Sequence, residues 1–139
     1  MKHRRKGQKE KGQSMLELAL VLPLLIIILA GVLDLGRLYY AYVAVTDAAA
    51  EGASYAAIHP EPGARDEVFR RAQEASRGLV QIDPDMVKVD CPTVVSGAPI
   101  TVTVSYSFTV ATPVISAIVP DGVLMLRAVA NEAILAGEL

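Results

Sequence analysis

Reactive side chains are scarce in this sequence, which has one cysteine and two histidines among 139 residues. Cys91 has no second cysteine to bridge, so nothing in the fold depends on an oxidising compartment, and a buried inert thiol is the simplest reading. It also lacks a cysteine or histidine at metal-ligand spacing. No Walker sequence, Rossmann glycine pattern or G-x-S-x-G elbow is present. The acidic residues of the second half are scattered over turns and helix surfaces. No catalytic residue, cofactor or metal site is therefore expected, and the chain does not read as an enzyme.

Charge is missing from one stretch altogether. No residue from Leu18 to Leu33 is charged, and Met15-Leu16 extend the apolar character beyond Glu17. Hydrophobic residues make up 53% of the chain, above the usual globular range, and this stretch accounts for the excess. At about 1.5 Å per residue, Leu16 to Leu35 covers roughly 30 Å, one hydrocarbon core. Low-complexity disorder, a disulfide-knit miniprotein and a large soluble enzyme are excluded. A small membrane-anchored protein remains.

The formal net charge of -2 conceals an asymmetry. Residues 1–12 carry Lys2, Arg4, Arg5, Lys6, Lys9 and Lys11 against Glu10, six basic to one acidic, a net of +5. The remainder has seven basic and fourteen acidic residues, a net of -7. A basic cluster directly before an apolar span stays in the cytoplasm, so the segment after the span is exported. The cluster is short and has no interleaved aromatics, so no nucleic-acid partner is expected. His3 and His59 fall on opposite sides of the membrane in this topology and cannot share a metal.

A secretory signal has an apolar core of about 7–15 residues and a small-x-small cleavage site. Here the run is longer and leads into Asp34-Leu35-Gly36-Arg37. Helical character continues beyond it, with no proline between Pro23 and Pro60. The sequence predicts one helix from Ser14 to Ile58, roughly 68 Å long, spanning the membrane at about 15–36. Pro23 removes one backbone bond and is a candidate kink, which membrane helices tolerate. Arg37, Tyr39, Tyr40 and Tyr42 suit the outer membrane–water interface. Beyond them Ala41, Ala44, Ala48, Ala49, Gly52, Ala53, Ala56 and Ala57 make one flank small. That flank can pack on the protein's own sheet or against helices of other subunits.

Glu17 lies just inside the apolar zone. A carboxylate at the centre of a membrane helix costs about 2.5–3.5 kcal/mol, less near the edge. It either reaches water or Lys11, or it awaits a cation at the same depth. Cutting the chain after Gly12 would supply one: the new α-amino group of Gln13, a turn away from Glu17, in the same chain or a neighbour.

Lys11-Gly12-Gln13-Ser14-Met15-Leu16-Glu17, after a basic leader and opening an apolar helix, resembles a type IV prepilin processing site. The resemblance implies that a membrane prepilin peptidase cuts after Gly12 and that Glu17 guides assembly. Position 13 is Gln rather than the phenylalanine of the commonest pilins, which points to the tight-adherence (Flp) branch. The longer string from Gly12 through Pro23 and Asp34-Leu35-Gly36-Arg37 to Ala57 is similar to the TadE-like family of minor pseudopilins. The second half resembles the family loosely, in its valine–threonine strand and in Arg127-Ala128…Asn131-Glu132.

After the helix, His59-Pro60-Glu61-Pro62-Gly63 is a break. Ala64 to Val80 reads as a second helix, with Val68, Phe69, Ala72, Ala75, Leu79 and Val80 on its apolar face and Asp66 and Glu67 in its first turn. Arg65, Arg70, Arg71 and Arg77, interspersed with Glu67 and Glu74, form a solvated face. Met86 to Cys91 is a short strand. From Pro99 to Val110, Ile100, Val102, Val104, Tyr106, Phe108 and Val110 alternate with threonines and serines, so one face is buried and one wet. Pro113 to Pro120 is a hydrophobic connection, expected as a short helical turn packed on the sheet or touching the membrane surface. Val123 to Ile134 is a third strand.

The expected architecture is α+β and pilin-like. Residues 1–12 form a basic cytoplasmic leader and 13–58 a long helix. Residues 59–139 complete an exported domain with a second helix and a three-stranded antiparallel sheet, the exported part of the long helix lying across the sheet. The expected function is a minor pseudopilin or assembly component of a tight-adherence type IV pilus. Its partners would be the prepilin peptidase, other pilins or pseudopilins, the assembly platform and membrane lipid. It would sit in the inner membrane as a single-pass protein, N-terminus cytoplasmic, or join the extracellular fibre; length favours the TadE-like member over shorter major pilins and longer relatives. The alternative is an uncleaved signal-anchor protein whose exported domain binds another envelope component.

Overall fold

A computed structural model describes residues 6–135, with side chains from Gly12 onward, Val114 apart. The first helix, α1, runs unbroken from Lys6 to Ile58, straight through Pro23. It begins eight residues before the expected start at Ser14. Lys, Gln and Glu are good helix formers, and Gly7 and Gly12, each unfavourable by about 1 kcal/mol, do not stop a helix continued by an apolar run. Leaving out Lys2, His3, Arg4 and Arg5, which lie outside the described residues, α1 measures about 80 Å at 1.5 Å per residue.

The helix has two different surroundings. Every side chain from Gly12 to Leu29 is exposed, the leucines and isoleucines included. From Asp34 onward one stripe is buried, and Ala41, Ala44, Val45, Ala48, Ala49, Ala53, Ala56 and Ala57 recur along it at three- and four-residue steps. That spacing puts them on one side of a 3.6-residue helix. The small flank therefore packs inside its own chain and is not free for helices of other subunits.

What covers the stripe is a second helix and a sheet. After a 3-10 turn at Pro62–Ala64, α2 spans Arg65–Ala75 and buries Val68 and Ala72. It stops five residues short of the expected Val80. Ser76 is buried, its hydroxyl within 2.7 Å of the Gln73 carbonyl and 3.0 Å of the Val80 carbonyl. Arg77 and Gly78 come next at φ 53° and 70°, left-handed geometry that ends a helix. Leu79 consequently turns outward while Val80 and Ile82 enter the core.

The sheet has the order β1-β2-β3, all antiparallel, with β1 at Val87–Asp90, β2 at Pro99–Thr109 and β3 at Val123–Ala133. Central β2 shows the alternation of its sequence: Ile100, Val102, Val104 and Phe108 are buried against α1, whereas Ser107 and Thr109 are exposed. Fully burying each such aliphatic or aromatic side chain contributes about 1.5–3 kcal/mol. The register pairs Thr103 with Val129, Ser107 with Met125 and Thr109 with Val123, so hydroxyls and exposed apolar side chains share the outer face. At one end the Leu135 amide bonds the Ala57 carbonyl at 2.8 Å, tying the end of β3 to the end of α1. At the other, one-turn helix α3 (Pro113–Ser116) reaches back to α1. Together these elements make the α+β architecture read from the sequence.

Candidate functional site

Two stations along α1 carry polar groups at the ends of its uncovered apolar stretch. The first is the segment Gly12 to Glu17. Gly12 has open space around it: a Cβ placed there would meet nothing within 4 Å. One turn of helix separates Gln13 from Glu17, and the Gln13 side-chain amide Nε2 donates to Glu17 Oε1 at 3.3 Å. In the intact helix, therefore, the glutamate finds a neutral donor on the residue whose backbone nitrogen was expected to pair with it. Both side chains are exposed. The leader's charged side chains, Lys6, Lys9, Glu10 and Lys11 included, lie outside the described ones.

The second station is Asp34, which in the sequence closes the apolar run and opens the Asp34-Leu35-Gly36-Arg37 segment. It is buried, at 6% exposure. Its Oδ2 accepts the backbone N–H of Thr112 at 2.7 Å, and its Oδ1 accepts that of Ala111 at 3.4 Å. Arg37, one turn on, donates Nη1 to the same Oδ1 at 3.1 Å. The carboxylate thus clasps a loop 78 positions away in sequence, just where the chain enters α3. Charge-assisted hydrogen bonds of this kind are stronger than neutral ones. Beside it, Gly31 lets α3 close in, for a Cβ at Gly31 would lie 3.3 Å from Ile115 Cδ1. The only sequence signal for this station is that Asp34 is the sole carboxylate between Glu17 and Asp47.

Arg37 belongs to this station. Its guanidinium pairs with Asp34 and lies 5.4 Å from the centre of the Phe108 ring, a cation–π arrangement. Tyr39, Tyr40 and Tyr42 are 66%, 64% and 52% exposed. Tyr39 and Tyr40 meet edge to face, ring centres 6.4 Å apart. They sit within two or three turns of Asp34, and Tyr40 lines with Arg37 a cavity that Leu79, Tyr106 and Phe108 of the domain also line.

Elsewhere the polar groups serve the α1–α2 packing. Arg70 bridges Glu67 and Glu74 on α2, and its hydrogen bond holds the Glu67 carboxyl below the usual range. Arg71 approaches Glu51 of α1 at 3.8 Å and lies 5.4 Å from the Tyr55 ring centre, while His59 stacks on the same ring at 4.4 Å. No three histidine, cysteine, aspartate or glutamate side chains among the described residues are grouped to hold a metal ion.

Residues 12–54 match the family model described as TadE-like protein. The match starts at Gly12 and takes in Glu17, the uncovered apolar stretch, Asp34 and Arg37, so the resemblance read from the sequence holds over that segment. No curated protein and no solved structure matches the chain. The match and the long apolar helix together support a pilus-related, single-pass membrane protein.

Proposed function

We propose that this chain, TadE-like over residues 12–54, is a minor pseudopilin that helps assemble a tight-adherence type IV pilus. A prepilin peptidase removes residues 1–12, and the mature protein crosses the inner membrane once with its α+β domain outside. It works by association, with pilins, pseudopilins and the assembly platform as partners, and not by catalysis. The observation that carries this reading is the family match, which opens on the glycine at the proposed cut and continues over an apolar stretch whose side chains, from Gly12 to Leu29, are exposed among the described residues.

The geometry supplies a reason for both key residues. In α1 the Gly12 carbonyl is in a helical ladder that offers it the amide four residues ahead. Hydrolysis after Gly12 requires that turn to open, and the glycines at 7 and 12 make opening easier than alanine would. Once cut, the Gln13 nitrogen becomes a cation next to Glu17. The pair then carries no net charge at the lipid edge, where an unpaired carboxylate is costly. Neighbouring apolar helices then pack laterally, each neutralised in the same way.

Mass spectrometry of the protein purified from cells making the organelle tests the proposal. A mature chain starting at Gln13 is expected, and Gly12→Ile is expected to retain residues 1–12. Glu17→Ala is expected to insert normally but to lower recovery with the assembly. An intact leader, together with unimpaired assembly of Glu17→Ala, would instead leave the uncleaved signal-anchor reading.

A further inference from the structure

We propose that the turn at 113–119 is a second membrane contact, resting Ile118 in the outer boundary of the bilayer that α1 crosses while half-buried Ile115 packs against α1. The inference rests on reading α1 as a membrane span. The Asp34 bonds to Ala111 and Thr112 and the close approach of Ile115 to Gly31 fix the turn beside residues 31–34 of α1. At about 1.5 Å per residue, Gly31 is roughly 4.5 Å to the apolar side of Asp34. A stretch of about 20 residues starting at Met15 ends at Asp34. Ile115 is thus at the depth where hydrocarbon gives way to headgroups.

The chemistry of the turn suits that place. No residue from Val110 to Val119 is charged. Ile118 is 79% exposed, and Leu33 and Leu35, which flank Asp34 on either side of α1 at about 100° per residue, are each 62% exposed. These side chains continue the uncovered apolar surface of α1. Backbone polarity, the usual obstacle to such contact, is met in part within the turn. The amides of Ser116, Ala117, Ile118 and Val119 bond the carbonyls of Thr112, Pro113, Ile115 and Ile115 respectively, at 2.9–3.2 Å. Those of Ala111 and Thr112 bond Asp34, and Pro113 has no N–H at all. A shallow apolar insertion of this kind lies about 5–10 Å into the boundary region. The domain then meets the membrane at two points, the helix and the turn, which fixes its tilt.

The sequence contains no tryptophan, so one introduced indole reports its own surroundings. Full-length Ile118→Trp is reconstituted in phosphatidylcholine vesicles containing acyl-brominated lipid, alongside Leu24→Trp in the span. Val95→Trp, on an exposed loop at the opposite end of the domain, completes the set. Blue-shifted emission of Ile118→Trp, with a fractional quenching comparable to that of Leu24→Trp, is expected, while Val95→Trp stays red-shifted and unquenched. Ala117→Trp, at a second exposed position in the turn, is expected to behave as Ile118→Trp does. Emission from both turn variants like that of Val95→Trp overturns the proposal. So does a blue shift without bromine quenching, which would put a protein neighbour on the turn. If Leu24→Trp itself escapes quenching, the span reading fails and this inference falls with it.

Discussion

At Gly52 α1 lies close against both α2 and the sheet, and enlarging it measures how firmly the small flank is occupied. A Cβ at Gly52 would lie 3.3 Å from Val102 Cγ1 on β2, 3.4 Å from Val68 Cγ1 on α2 and 3.7 Å from Ala72 Cβ. For Gly52→Ala the opposing effects nearly cancel. Alanine is favoured over glycine inside a helix by about 1 kcal/mol, and the added methyl, once buried, contributes about 0.8 kcal/mol. Against this, two valine methyls must shift by a few tenths of an ångström, and overpacking costs about 1–3 kcal/mol. The alanine variant is expected within about 1 kcal/mol of the parent. Gly52→Leu adds three more carbons where three neighbours already touch, and is expected to lose about 3 kcal/mol or more. Urea unfolding of the full-length protein in detergent, monitored by far-ultraviolet circular dichroism, reads both values. A leucine variant as stable as the parent would refute the seating of α1 between α2 and the sheet, and would return this flank to the surfaces available for other subunits.

Asp34→Ala is expected to free the 111–122 segment, because the amide of buried Thr112 loses its acceptor; hydrogen exchange at Thr112 should accelerate. Asp34→Asn, which keeps a carbonyl oxygen, should fall between alanine and the parent, and unchanged exchange in Asp34→Ala would mean that the carboxylate does not hold the loop. Glu67 gives a pH dependence with a definite sign. Arg70 depresses its folded pKa below the ordinary value of 4.5, so its stabilisation is present above that value. It should be lost as pH falls through the depressed folded value. Glu67→Gln should therefore differ from the parent in urea midpoint at neutral pH and converge with it in acid, with added salt shrinking the difference because the groups are exposed.

Much of this architecture was legible because its periods are clean. Eleven alternating residues in β2 and an uncharged run from Leu18 to Leu33 leave little choice of element. The end of α2 was not legible, since Ala75, Leu79 and Val80 keep helical spacing after the backbone has turned at Arg77 and Gly78. The role of Asp34 was hidden for a different reason. Its partners are backbone amides 77 and 78 positions away, and a backbone donor leaves no mark in the sequence. The alanine flank was ambiguous in principle, because alanine serves equally as the best helix former and as the smallest buried side chain. Only the neighbours that fill the space, Val68, Ala72 and Val102, decide it.

The unbroken passage of α1 from its uncovered apolar stretch into the domain, clamped at Asp34 and again at Ala57, couples the two parts mechanically. A helix advances by about 100° of rotation per residue. If two such rods slip past each other by a single residue while keeping their greasy contact, the threonine-and-serine face of each head must swing through roughly that angle. If α1 spans a bilayer as proposed, the compass bearing of that face is therefore written in the leucine and isoleucine registry of the span.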